Sequence, residues 1–252
     1  MSQPDAAVAE GVSAVVPVLD ESGSLAELHE RLVAALAGLG RPWQVVYVDD
    51  GSTDGSRETL ARLAGSRPEV TVVLLARNFG QTAALAAGID HARYPVLVTL
   101  DADLQNDPAD IPRLVARIDE GADLVSGWRR DRQDAWLTRV LPSRIANSLI
   151  SRVTGVRLHD YGCTLKAYRR RLFDSFRLYG EMHRFVPAWA ALAGARVAEV
   201  PVAHVPRRAG ASKYGLLGRH YRYEGGDKAA AVALEVLRAA VADVGPTIKV
   251  CG

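Results

Sequence analysis

Apolar blocks alternate with amphipathic stretches along the first half of the chain, and the two patterns predict different elements. The runs at 12–18, 43–48 and 70–75, and the one that begins at Val96, are short, rich in valine and almost free of polar breaks. That is the pattern of strands buried on both faces. Between them, 24–39, 56–64 and 81–91 carry apolar residues at helical spacing, with Leu25, Leu28, Leu32 and Leu36 on one stripe. Pro108 opens a further helix through Asp119, and 124–126 reads as a fifth strand. Strands that alternate with crossover helices predict an α/β fold, a doubly wound and mostly parallel sheet with helices on both faces.

The second half is less regular. Residues 135–153 predict an amphipathic helix, with Leu137, Val140, Leu141, Ile145, Leu149 and Ile150 apolar and Arg139, Arg144 and Arg152 cationic. Such a helix either rests on lipid head groups or packs on its own sheet. A loop from His159 leads into a strand ending near Arg169; helices are expected at 170–176 and 181–193 and a strand at 197–205. A basic loop follows from Pro206 to Gly215, and an alanine-rich helix is expected at 228–244.

Polar clusters stand at the carboxyl ends of successive strands: Asp20 and Glu21, Asp49 and Asp50, Arg77 and Asn78, Asp101 and Asp103, then Trp128 and Arg129. Ligands of open α/β sheets bind at that edge. A dinucleotide site would want Gly-x-Gly-x-x-Gly after the first strand; here the turn reads Pro17-Val18-Leu19-Asp20-Glu21, which tells against a nicotinamide or flavin enzyme. Two carboxylates two residues apart after a buried strand, Asp101-x-Asp103, suit a hard divalent cation shared with substrate phosphates. Asp50 reads either as part of a plain turn around Gly51 or as a contact to a ribose or base edge.

Composition narrows the partners. A net charge of +2 over 252 residues implies no nucleic-acid ligand. The charges are unevenly placed, with acids in the first half and arginines crowding 129–171 and 196–222. Cys163 and Cys251 are too few and too far apart for a disulfide framework, so a reducing cytoplasm is expected. The amino terminus lacks a signal-peptide pattern, and no window approaches about 18 uncharged apolar residues. Cys163 reads as a small buried residue, and the histidines show no metal-ligand spacing.

Pro17-x-x-Asp20-Glu21, Asp49-Asp50-Gly51-Ser52-Thr53-Asp54, Asp101-Ala102-Asp103-Leu104-Gln105 and the late Arg207 with Ser212-Lys213-Tyr214, taken in order, resemble family 2 glycosyltransferases of the GT-A fold. Within that family the chain is most similar to the polyprenyl-phosphate sugar synthases. The resemblance covers about residues 11–216 and divides the chain into a leader (1–10), a GT-A domain (11–215) and a helical tail (216–252) that is atypical of the family.

The resemblance implies site residues by position. Pro17, Leu19, Asp20, Glu21, Val48 and Asp50 line the nucleoside pocket, and Asp101 and Ala102 lie against the nucleotide. Asp103 and Gln105, with Asp101, hold Mg²⁺ or Mn²⁺ on the diphosphate. Arg207 and Lys213 engage phosphates, with Arg129 and Arg184 as further candidates, and Asp160 lies on the acceptor loop as a base or as a loop cap. Position 20 departs from the family's usual Asn.

The activity implied is inverting transfer of a hexose from a nucleotide-diphosphate sugar to a polyprenyl phosphate at the cytoplasmic membrane face. The alternatives are a soluble transferase acting on a small-molecule, saccharide or peptide hydroxyl, and a non-catalytic sugar-nucleotide-binding protein. A phosphate acceptor is already ionised, whereas a hydroxyl needs a general base. Arginines are plentiful in the second half and spare carboxylates few, which favours the phosphate. Peripheral membrane contact and homo-oligomerisation are compatible with the composition.

Overall fold

A computed structural model describes residues 11–130, 158–174, 177, 178, 180 and 182–205. All of these belong to one compact unit spanning residues 1–210. The helices expected at 135–153 and 228–244, the basic loop with Arg207 and Lys213, the leader and the tail lie outside the described residues.

Among the described residues the sheet has seven strands: β1 (Val12–Val18), β2 (Trp43–Asp49), β3 (Val70–Leu74), β4 (Val96–Thr99), β5 (Leu124–Trp128), β6 (Lys166–Arg169) and β7 (Val197–Pro201). Their order is β3-β2-β1-β4-β6-β5-β7. All seven residues of β1 are buried, as the unbroken valine-rich run predicts, because β1 has neighbours on both edges and helices on both faces. On one face, Val12, Ala14, Val16 and Val18 pack with Leu25, Leu28, Leu32 and Leu36 of α1 (Leu25–Ala37), Leu60 of α2 (Ser56–Ser66), and Ile111, Leu114, Val115 and Ile118 of α4 (Ile111–Asp119). On the other, Val15, Val46 and Val48 meet Ala84 and Leu85 of α3 (Gln81–His91), and Leu97, Leu124 and Tyr168 meet Val186 and Ala190 of α5 (Val186–Leu192). Each fully buried leucine contributes about 1.5–3 kcal/mol.

Gly88 lets α3 settle this closely: a Cβ there would stand 2.3 Å from Val15 Cγ1 and 3.0 Å from Val48 Cγ2. The close approach brings the amino end of α3 to the carboxyl ends of β1 and β4, where the site is built.

The chain builds β1, β2 and β3 outward in one direction and then returns to lay β4 on the other side of β1. The topological switch point therefore falls between β1 and β4. One strand departs from the expected succession. β6 inserts antiparallel between β4 and β5, with Thr99 opposite Lys166 and Ser126 opposite the same lysine. It is four residues long and opens on a charged residue, so no apolar run announces it.

Several boundaries are corrected as well. The helix expected from Pro108 begins as a 3-10 turn (Pro108–Asp110), and Arg170–Asp174 is 3-10 rather than α. The helix expected at 181–193 divides into a 3-10 turn (Met182–Arg184) and α5, because Pro187 favours a fresh helix start. The strand expected through Val205 stops at Pro201, while β5 runs on to Trp128. Among the described residues no helix is long and apolar enough to cross a membrane.

Candidate active site

The loops after β1 and β2 are stitched together by short polar side chains. Asp20, in the left-handed region at φ 48°, donates its amide to Ser52 Oγ (2.9 Å) and accepts from the Thr53 amide at Oδ1 (2.6 Å). The Glu21 amide donates to Ser56 Oγ (2.9 Å) and that of Ser22 to Asp54 Oδ2 (3.0 Å). Burial alone would raise the Asp54 carboxyl, but the hydrogen bonds from Ser56 and Ser22 hold it down at about 2. Asp20 thus spends its carboxylate on the neighbouring loop. Pro17 and Val48 face each other across β1 and β2; the Val48 side chain belongs to the core under α3, while Leu19 and Glu21 are half-buried.

The two acids at the end of β2 divide their work. Asp49 is fully buried and binds Arg57 Nε (2.6 Å) together with the amides of Gly51 and Ser52. Asp50, also fully buried, accepts from the Phe79 amide on Oδ1 (2.7 Å) and the Gly80 amide on Oδ2 (2.9 Å). Burial pushes the Asp50 carboxyl upward and these amides oppose the shift. The segment is a turn, and Asp50 organises the loop that opens α3. Gly51 has φ 84°, and a Cβ there would lie 2.6 Å from Asn78 N, so only glycine lets the two loops meet.

α3 carries the network onward. Gln81, its first residue, donates from Nε2 to Asp101 Oδ1 at 2.6 Å. Burial and then the Asp103 carboxylate push the Asp101 carboxyl up to about 7, against the pull of Thr164, Lys166 and Arg129. Asp103 is buried and accepts from the Gln105 amide at Oδ1 (3.1 Å); between them Leu104 is held at φ 60°, strained for a bulky residue. The Ala102 carbonyl accepts from Ser24 Oγ at 2.7 Å and so ties the turn to the start of α1. Gln105 is half-buried, its carbonyl engaged by the Val205 amide.

From the other side come residues 160–166. Arg129, at the end of β5, grips Asp160 with Nε on Oδ2 (2.7 Å) and Nη2 on Oδ1 (3.0 Å), and both side chains are largely buried. Lys166 is buried, its Nζ donating to the carbonyls of Cys163 and Tyr161. Burial pushes its ammonium pKa down, while Cys163, Asp160 and Asp101 oppose that and Arg129 adds to it. Cys163 is buried, and burial raises its thiol to about 11, so it is no nucleophile at neutral pH. Arg184 is exposed on its short turn and donates to His183 Nε2 (3.4 Å). His183 in turn meets the Thr82 hydroxyl at 2.6 Å, and burial, then Arg184 and Lys166, drive its pKa down to about 3.

Asp50 and Asp101 are thus linked through the start of α3, while Asp103, Arg129 and Lys166 act on Asp101 by charge and Arg129 holds Asp160, all along the carboxyl edge of the sheet. Gln81, Thr164 and Lys166 are the members that residue spacing does not reveal. A glutamine at a helix start, a threonine in a loop and a lysine in a short strand carry no motif.

The donor set suits a hard divalent cation. Asp101 and Asp103 supply carboxylate oxygens whose mutual repulsion a cation relieves, and the Gln105 amide offers a neutral oxygen. Among the described residues no group of three or more His, Cys, Asp or Glu could hold a metal.

Residues 13–177 match the family described as Glycosyl transferase family 2. The chain belongs to this family. It is 46% identical over 209 residues to a dodecaprenyl-phosphate galacturonate synthase of Rhizobium johnstonii, covering 81% of this chain and 62% of that protein. It is 47% identical over 208 residues to an undecaprenyl-phosphate 4-deoxy-4-formamido-L-arabinose transferase of Edwardsiella ictaluri, covering 82% of this chain and 63% of that one. The chain therefore spans less than two thirds of the length of these relatives.

Two solved structures share its fold. One is a mannosyltransferase of Pyrobaculum calidifontis in complex with GDP-Man and Mn²⁺ (TM-score 0.57, 21% identity, 78% of this chain and 57% of that one). The other is glucosyl-3-phosphoglycerate synthase of Mycobacterium tuberculosis with Mn²⁺, UDP and phosphoglyceric acid (TM-score 0.58, 21% identity, 79% and 72%). The family 2 chain has the GT-A architecture expected from its sequence, a mostly parallel sheet with one antiparallel strand.

Proposed function

We propose that this family 2 glycosyltransferase moves a sugar from a nucleotide-diphosphate donor to the phosphate of a polyprenyl phosphate, working at the inner face of a membrane. The observation that carries the choice of acceptor is the Arg129–Asp160 pair. A carboxylate gripped at both oxygens by a buried guanidinium is a poor proton acceptor, since protonation would break two charge-assisted hydrogen bonds. A hydroxyl acceptor would need that base. A phosphate monoester brings its own anion and needs positive charge nearby rather than a base, and Arg129 and the buried Lys166 make this side of the site cationic. The names of both relatives carry a polyprenyl phosphate, and they agree with this choice.

In the proposed reaction a phosphate oxygen of the acceptor attacks the anomeric carbon from the side opposite the leaving diphosphate. The carbon–oxygen bond to the diphosphate breaks as the new one forms, and the configuration inverts. Mg²⁺ or Mn²⁺ held by Asp103, Asp101 and Gln105 would neutralise the charge that builds on the leaving group. Gln81 orients Asp101. Asp50 serves the nucleoside pocket by fixing the loop at Phe79 and Gly80. Pro17, Leu19, Asp20 and Glu21 form the wall after β1, and Arg207 and Lys213 are assigned to the phosphates by the family resemblance. Residues 11–215 make up the catalytic domain in this reading.

The test is direct. The purified chain is incubated with Mn²⁺, a panel of labelled UDP, GDP, CDP and dTDP sugars, and undecaprenyl phosphate in vesicles. Label should enter the lipid, and should not when undecaprenol replaces the phosphate. Transfer only to a soluble glycoside or peptide hydroxyl would overturn the reading.

A further inference from the structure

We propose that Lys166 is a positioning residue of the acceptor side: it acts through the loop at residues 160–164, fixing Asp160 toward Arg129. The proposal deepens the reading above and rests on it for the identity of the acceptor. β6 is the strand that separates β4, which leads to Asp101, from β5, which leads to Arg129. Lys166 is its first residue, opposite Thr99 on one side and Ser126 on the other. It therefore stands between the two halves of the site, 3% exposed.

A lysine is rarely buried unless it is paired, because an ammonium loses much hydration there. Lys166 spends its donors on the carbonyls of Tyr161 and Cys163. Two carbonyls of one short loop, two residues apart, are thereby turned inward to a single nitrogen. Asp160 precedes them and reaches Arg129; Thr164 follows them, and its Oγ1 accepts from Asn106 Nδ2 at 2.9 Å. Pinning the carbonyls fixes the path of the loop, and the path sets where both flanking side chains point. The charges agree: Lys166 lies within electrostatic reach of Asp160 and Asp101, so its loss removes positive charge from the acceptor side, where an anionic acceptor is held. The nucleotide side is bound to the fold independently, through Asp20 with Ser52 and Asp50 with the start of α3.

Three variants of the full chain test this: Lys166→Met, Lys166→Gln and Lys166→Arg. Amide hydrogen exchange over 158–166 is compared with calorimetric affinity for whichever of UDP, GDP, CDP and dTDP binds the wild type best with Mn²⁺, and with kcat and KM toward undecaprenyl phosphate. In Lys166→Met, exchange in the loop should rise and kcat/KM for the lipid should fall about 100-fold, as misplacement by about 1 Å can cause. Nucleotide affinity should stay within about threefold, and Lys166→Arg should restore roughly tenfold of the loss.

Unchanged loop exchange in Lys166→Met overturns the proposal, and so does a parallel loss of nucleotide and acceptor affinity, which a merely structural lysine would give. If the methionine variant does not fold, Lys166→Gln, which keeps a donor and removes the charge, is read in the same way. A wild type that transfers nothing to undecaprenyl phosphate refutes the acceptor assignment alone, and the exchange comparison still decides whether Lys166 positions the loop.

Discussion

Gln81 Nε2 lies 2.6 Å from Asp101 Oδ1, so the first side chain of α3 holds the first acid of the Asp-x-Asp turn. The amides just before it, at Phe79 and Gly80, are held by Asp50. One helix start therefore couples the end of β2 to the end of β4. Gln81→Ala removes the donor and lets Asp101 turn. Transfer should fall about tenfold, with a loss of roughly 1 kcal/mol in unfolding free energy, measured by steady-state kinetics and denaturant titration. Gln81→Glu should be worse, since a second carboxylate, besides Asp103, then faces Asp101.

Asp101 makes stability depend on pH. Its ordinary value is 3.8, and burial followed by the Asp103 charge raises it to about 7 in the folded chain. The folded state then binds a proton that the unfolded state has released, so the favourable contribution is complete below about pH 4 and is lost as pH rises through about 7. Metal-free protein should lose stability across that window, and Asp101→Asn should flatten the loss. Denaturation midpoints near pH 5 and near pH 8 for the two proteins check this. A wild type that gains stability over the same range relative to the variant would contradict the assignment.

Asp103→Asn tests the cation site. The amide keeps the shape but withdraws a charge from the proposed metal, and turnover should drop by a factor of about 1,000, equivalent to roughly 4 kcal/mol. The fold should be intact by circular dichroism, and chelation of the wild type should reproduce the loss.

Asp160→Asn separates a base from an ion-pair partner. The change leaves Arg129 buried against a neutral group and should cost about 3 kcal/mol of stability. The acid limb of the pH profile for transfer to undecaprenyl phosphate should survive. Disappearance of that limb would make Asp160 the base and return the hydroxyl acceptors to favour.

Gly51→Ala should destabilise the chain by about 2 kcal/mol or more, because alanine is disfavoured at φ 84° and its Cβ would press on backbone atoms of Arg77 and Asn78. Nucleotide affinity should fall with it, since the loops after β2 and β3 can no longer meet. Thermal unfolding and calorimetry with Mn²⁺ read both effects.

The order of strands and helices through Leu124 was legible in the amino-acid sequence, because a strand buried on both faces needs an unbroken apolar run and a crossover helix needs a stripe. Residues 12–18 and 81–91 match β1 and α3 at both ends. The acids at the strand ends were legible for the same reason: each interrupts an apolar run where the chain leaves the sheet. What the sequence could not determine was partnership. β6 is short and begins with a lysine, and its place between β4 and β5 depends on hydrogen bonds to strands far away in the chain. Likewise no spacing says that Asp50 turns to backbone amides, that Asp20 serves Thr53, or that Arg129 closes on Asp160. Periodicity is a local property and survives in one dimension; ion pairs and buried donors are satisfied across the sheet, and only the packed chain chooses them.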